Sequence, residues 1–223
     1  MAIQKLKVGD VFYIEAVKGK FVFGKILFDV DKQYIKNENL QKADLINSSK
    51  QLQGWYAGCM VIEMYIGVYN TIDSIPSRNV LIKRAICSII GLKNQNWGVI
   101  ANEQVEVKHV SFPETLLRSN NTICINFGEL KFETNFTEKE YKELGIPTRI
   151  IDITLIADIC LNMQGLSDML EEDYQKEQTM AMYDLMYHPS IRTKIYKELN
   201  LDPDKSYYDL SKELGYDLKR FYE

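Results

Sequence analysis

Asp184 and His188 stand four residues apart, the spacing at which two side chains share a helical face and a carboxylate can orient an imidazole for proton transfer. The other histidine, His109, has no second histidine or cysteine close in sequence to complete a ligand pair. With 2 histidines in 223 residues, a centre of three or more histidines cannot be assembled. The chain has no G-x-x-x-x-G-K-[ST] loop, no strand-bound G-x-G-x-x-G and no G-x-S-x-G elbow, so phosphate cradling and an activated serine have no sequence support. Cys59, Cys87, Cys124 and Cys160 lie far apart inside apolar runs and read as buried thiols of a cytosolic protein rather than a disulfide scaffold. The expectation is a chain without catalytic residues, metal ligands or a cofactor, and therefore not an enzyme.

The densest charge is an acidic ridge of Glu171, Glu172, Asp173 and Glu177 with Tyr174 inside it and Tyr183 further along. A solvated helix face is the ordinary account of such a run. The functional account is a partner-binding surface, because carboxylates aimed at a basic partner speed association and reject wrong partners, while tyrosine supplies rigid contact area with a polar tip. Net charge is −4 and uneven: residues 1–149 hold 19 Lys/Arg against 16 Asp/Glu, net +3, and residues 150–223 hold 8 against 15, net −7. A bulk basic footprint for nucleic acid is absent, and a local one requires Lys83, Arg84, Lys93 and Lys108 to converge beside an exposed Trp97.

These residues need a scaffold, and the strongest scaffold signal is the stretch 7–28, KVGDVFYIEAVKGKFVFGKILF. Runs 11–17 and 20–28 flank Lys18 and Gly19, which predicts a hairpin; Gly24 inside the second run predicts a bulge, a bend or a close backbone approach. The pattern GDVF, a short turn, then GKFVFGKIL resembles the opening of family 26 of the polymorphic toxin system immunity proteins. Further along, QNWGVI at 95–100 followed by SFPE at 111–114 resembles that family's tryptophan-centred strand and aromatic–proline loop. The resemblance spans the first two thirds of the chain. It implies an intracellular protector that binds a cognate toxin and blocks it without chemistry of its own.

Beyond the hairpin, residues 29–53 are a long polar connection with a modest apolar set at Leu40, Ala43, Leu45 and Ile46. Residues 59–69 and 96–101 read as strands and 79–90 as one long strand or two with an irregularity at Lys83 and Arg84, a charged pair that points to an edge or exposed rim. Residues 105–110 alternate as a further strand, and 122–127 with 130–132 form a hairpin around Gly128 and Glu129. The period changes after Phe136. Thr137-x-x-Glu140 is a capping box for a helix that Gly145 and Pro147 stop, and residues 150–161 read as a short strand returning to the sheet, with the apolar residues after Leu155 suiting a buried helix equally. From Ser167 the chain reads as helical: one long segment ended or kinked at His188 and Pro189, a second over 191–199 with Ile191, Ile195, Tyr196 and Leu199 as its buried stripe, and a last one capped by Ser206-x-x-Asp209.

The expected fold is α+β: an N-terminal strongly bent antiparallel sheet or small open barrel, followed by a C-terminal, mainly helical layer. The expected division is a mainly β, immunity-like domain at 1–136 and a mainly helical extension at 137–223. With neither a signal leader nor an apolar run of about 18 residues, the expected location is cytoplasmic and no membrane partner is expected. The function so implied is toxin neutralisation by binding; the alternative is a non-enzymatic regulatory or structural adaptor.

Overall fold

The computed structural model describes residues 5–36, 51–73, 76–119, 121–144, 150–171 and 176–223. The chain divides into two compact units, the first comprising Met1–Asp29, Gly58–Val105 and Ile151–Thr179, the second Val30–Ala57, Glu106–Ile150 and Met180–Glu223. Each draws on chain from both sides of residue 137.

The first unit is built on the expected hairpin. Strands β1 (Asp10–Val17) and β2 (Lys20–Asp29) pair antiparallel in the register Phe12 with Gly24 and Ile14 with Val22. Gly19 turns the chain at φ +73°, a conformation that L side chains resist. Gly24 is a close approach: a Cβ there would stand 2.5 Å from both the Glu63 carbonyl oxygen and Met64 Sδ. Strands β3 (Cys59–Tyr65), β4 (Val80–Ser88) and β5 (Trp97–Asn102) extend the sheet to the order β5-β1-β2-β3-β4. These pairs are antiparallel, with register shifts in β1, β2 and β3 that bend the strands. The sheet is open and mixed rather than closed, because beyond β4 the two residues Ile151–Asp152 add in parallel.

The chain then passes directly into the helix α1 (Ile153–Met163), capped by the Asp152 carboxylate on the Thr154 N–H at 3.0 Å. Ile153, Ile156, Ala157 and Cys160 repeat at helical spacing and are buried, and the helix lies against β1 and β4. Val11, Phe23 and Tyr65 form a second cluster, with Tyr13, Phe21 and Tyr69 packed against it; the Tyr13 and Phe21 rings meet edge to face at 5.7 Å. Apolar burial by both clusters explains why the strands read as nearly continuous apolar runs rather than a clean alternation.

The second unit holds a three-stranded antiparallel sheet, β6 (Thr115–Ser119), β7 (Thr122–Phe127) and β8 (Leu130–Thr134), of which the sequence reading supplied the β7 and β8 hairpin but not β6. Its helices include α2 (Glu138–Leu144), α3 (Pro189–Glu198) and α4 (Tyr207–Glu213). The capping box forms as expected: the Thr137 N–H donates to Glu140 Oε2 at 2.8 Å and the Glu140 N–H donates to Thr137 Oγ1 at 3.2 Å. Ser206 caps α4 by accepting from the Asp209 N–H. Leu116, Ile123, Ile125, Leu185, Ile195 and Tyr196 form the core of this sheet and its helices, with Ile191 and Leu199 packed at its margin. The α+β class is therefore as expected, with a mixed open sheet early in the chain and a helical region late in it.

Three expectations are corrected. Residues 105–110 are not a strand: the chain passes from the first unit to the second after Val105, and Val107–His109 is a 3-10 turn closed by the His109 N–H on the Glu106 carbonyl. The long helix expected between Ser167 and Tyr187 is not continuous: the described residues hold separate 3-10 turns at Ser167–Met169, Met180–Met182 and Leu185–Tyr187, with Glu171 in a bend and Glu177 in a turn between them. Leu170 is buried in the first unit while Met180 and Leu185 are buried in the second, so no single apolar stripe joins them. Pro189 does not end a helix but opens α3, where its missing N–H leaves no bond unmade. Leu40, Ala43, Leu45, Ile46, Gly145 and Pro147 lie outside the described residues.

Candidate partner-binding surface

In the first unit a cleft of about 360 Å³ is lined by the end of β1 and the hairpin turn, by Gln95, by Thr154 and Asp158 of α1, and by Met169, Leu170 and Glu171. Thr154 and Asp158 face the same way because they are four apart on one helix. Glu15 is fixed: its Oε1 accepts from the Gly19 N–H at 2.6 Å and its Oε2 from the Asn96 side-chain amide at 2.7 Å. These two bonds, the backbone one foremost, hold its carboxyl below the ordinary carboxylate range, so it is an anion at neutral pH. The lining thus sets three carboxylates, Glu15, Asp158 and Glu171, against Lys18.

Of the acidic ridge read from the sequence, Glu171 is exposed, sits in a bend and lines this cleft; Glu177 lies in a turn just before the chain leaves the first unit. Glu172, Asp173 and Tyr174 lie outside the described residues. Sequence reasoning missed Glu15 and Asp158, which come from segments remote from the ridge. The spacing of Thr154 and Asp158 was the available signal for one of them.

The second unit buries charge in two networks. Glu114, from the SFPE stretch, is 1% exposed, accepts from Arg192 Nε at 2.8 Å and from the Tyr196 hydroxyl at 2.9 Å, and its backbone N–H donates to Asp184 Oδ1 at 3.1 Å. The Arg192 guanidinium lies over the Tyr196 ring at 4.1 Å. In the other network Glu129 Oε1 pairs with Arg220, its N–H donates to the Tyr207 hydroxyl at 3.2 Å, and its buried Oε2 has no hydrogen-bond partner. Burial outweighs Arg220 and raises the Glu129 carboxyl; burial, with the Glu129 charge second, pushes the Tyr34 phenol up to about 12. The sequence signal for Glu129 was its place beside Gly128 in a hairpin turn, which speaks for geometry rather than for a buried charge.

The four-residue spacing of Asp184 and His188 does not bring the two side chains together as a pair. Asp184 Oδ1 caps the Leu185–Tyr187 turn through the Met186 N–H at 2.9 Å, while His188 Nε2 meets the Ala181 carbonyl at 2.6 Å and so carries the proton there. A 3-10 turn followed by a helix opening at Pro189 places the two residues on no common helical face. His109 is 70% exposed at its side chain, 3.5 Å from Glu106. The four cysteines are buried and unbridged, and burial raises the thiols of Cys87, Cys124 and Cys160, disfavouring the thiolate that attacks or ligates. Lys83 is exposed but its neighbour Arg84 is buried, and Trp97 is half-buried, so the basic residues of that strand present no joint face.

Among the described residues no group of three or more His, Cys, Asp or Glu is placed to hold a metal ion, and no helix is long and apolar enough to cross a membrane. What the first unit offers is a carboxylate-rich cleft suited to receiving a cation. Comparison with protein-family models, with curated proteins and with solved structures returns no match to this chain.

Proposed function

We propose that this chain is an intracellular immunity protein that binds a cognate bacterial toxin and neutralises it without catalysis. The observation carrying this reading is the cleft in which Glu171 joins Glu15 and Asp158, since toxins that act on negatively charged substrates hold basic sites to which such carboxylates are complementary. The resemblance of GDVF…GKFVFGKIL and QNWGVI to immunity proteins supports it too. The first stretch makes the β1–β2 hairpin and the second enters β5, which pairs with β1 through Phe12 with Val99 and Ile14 with Trp97.

The test is co-expression with the toxin candidate encoded by the adjacent gene. Rescue of growth and co-purification of a stable complex are the expected results. A stable complex without rescue would favour the adaptor reading, and absence of both would overturn the proposal.

A further inference from the structure

Among the described residues, strand β5 bonds to β1 alone and stands last in the sheet on that side. Its sequence, WGVIAN, contains no charge and no proline, and no other backbone partner is present among the described residues. Natural sheet edges are usually blunted by lysine, proline or a covering segment, because an open row of N–H and C=O groups recruits another strand. Here the irregularity is confined to Ile100, which is skipped between the pairs Ala101 with Val11 and Val99 with Phe12 and is 40% exposed. The acidic cleft lies where this edge begins. Gln95 lines it, and Asn96 ties the strand's entrance to Glu15 through both its side-chain amide and its carbonyl, the latter accepting from the Glu15 N–H at 2.9 Å.

Resting on the reading of this chain as a protein-binding protein, we propose that β5 is a docking edge for an extended strand of the partner, whose lysine or arginine enters the cleft beside Glu15, Asp158 and Glu171. Main-chain bonds along the edge supply affinity that is indifferent to side chains, and the carboxylates supply the preference for a basic residue at one end. A second copy of this chain is a poorer occupant. Antiparallel self-pairing brings the residue after its Asn102 to the cleft, and that residue is Glu103, held by its own Arg78 and by Lys25 at 3.7 Å, so the cleft gains no free cation.

The probe is a short synthetic peptide alternating valine and threonine with lysines at one end, added to the isotope-labelled full chain. Slowed amide exchange confined to the outward N–H groups of β5 is expected. A peptide with glutamate in place of lysine should bind about tenfold more weakly, and Glu171→Lys should weaken the lysine peptide by a similar factor. Ile100→Lys should abolish the protection while amide shifts elsewhere stay unchanged, which separates a blocked edge from a misfolded chain. Equal binding of the lysine and glutamate peptides, no protection of β5, or protection that grows with protein concentration alone would overturn the proposal, the last in favour of a second copy. Rescue from the toxin retained by the Ile100→Lys, Glu171→Lys double variant would also overturn it while leaving neutralisation standing. Peptide docking by a chain that gives no rescue would uphold the edge and defeat neutralisation instead.

Discussion

Removing the guanidinium of Arg192 takes from the buried Glu114 carboxylate the cation that pairs with it at 2.8 Å. Breaking a buried ion pair from one side is among the few single changes that cost more than the typical substitution, so Arg192→Ala should destabilise by about 3 kcal/mol, read as a lowered urea midpoint at constant slope. A loss below about 1 kcal/mol would mean that water or another group satisfies Glu114. Two other carboxylates set opposite slopes against pH. Bonds from the Thr137 N–H and hydroxyl, with Lys194, push Glu140 down to about 2 from an ordinary 4.5, so its contribution is present above 4.5 and lost as pH falls toward 2. Burial raises Glu129 above the same 4.5, so its contribution is present below 4.5 and lost as pH rises through the elevated value. Glu140→Gln should therefore flatten the acid limb of a stability profile, whereas Glu129→Gln should gain on the parent chain as pH rises above 4.5. Parallel limbs for parent and variants would show that these residues do not carry the linkage.

At the scale of elements, Gly24 is a point of close approach in the sheet, and a methyl group there meets the Glu63 carbonyl, Met64 Sδ and the Phe12 ring, the last at 2.9 Å. Gly24→Ala should cost about 1–3 kcal/mol by overpacking, measurable by denaturant titration, and near-neutrality would mean that the sheet has room to shift. This glycine was legible in the sequence, as were the hairpin, the Thr137 and Ser206 caps and the stripe of α3. Each is written within a few residues that stay in one environment. Residues 105–110 and 167–187 were not legible, because the chain changes unit at 105/106 and again at 179/180. A hydrophobic period measured across such a crossing mixes residues that answer to two separate cores. The cleft was half legible for a similar reason: Glu171 stands out as a local acidic run, but no local rule ties it to Glu15 on β1 or to Asp158 on α1.

The interleaving has a consequence for the whole molecule. A cut at residue 136, where the period of the sequence changes, would leave β1 to β5 without α1 and without the parallel strand Ile151–Asp152. It would also leave β6 to β8 without Leu185, Ile195 and Tyr196, and separate Glu114 from Arg192. Neither piece retains a complete core, because long-range burial rather than local propensity holds most helices and sheets in place. Fragments 1–136 and 137–223 should therefore each give poorly dispersed amide spectra alone. Each also carries what the other lacks, in both units at once, so co-expression of the two should restore the dispersed spectrum of the intact chain. A folded 1–136 fragment, with β5 still paired to β1 and slow amide exchange through β3 and β4, would show that the first sheet stands without α1.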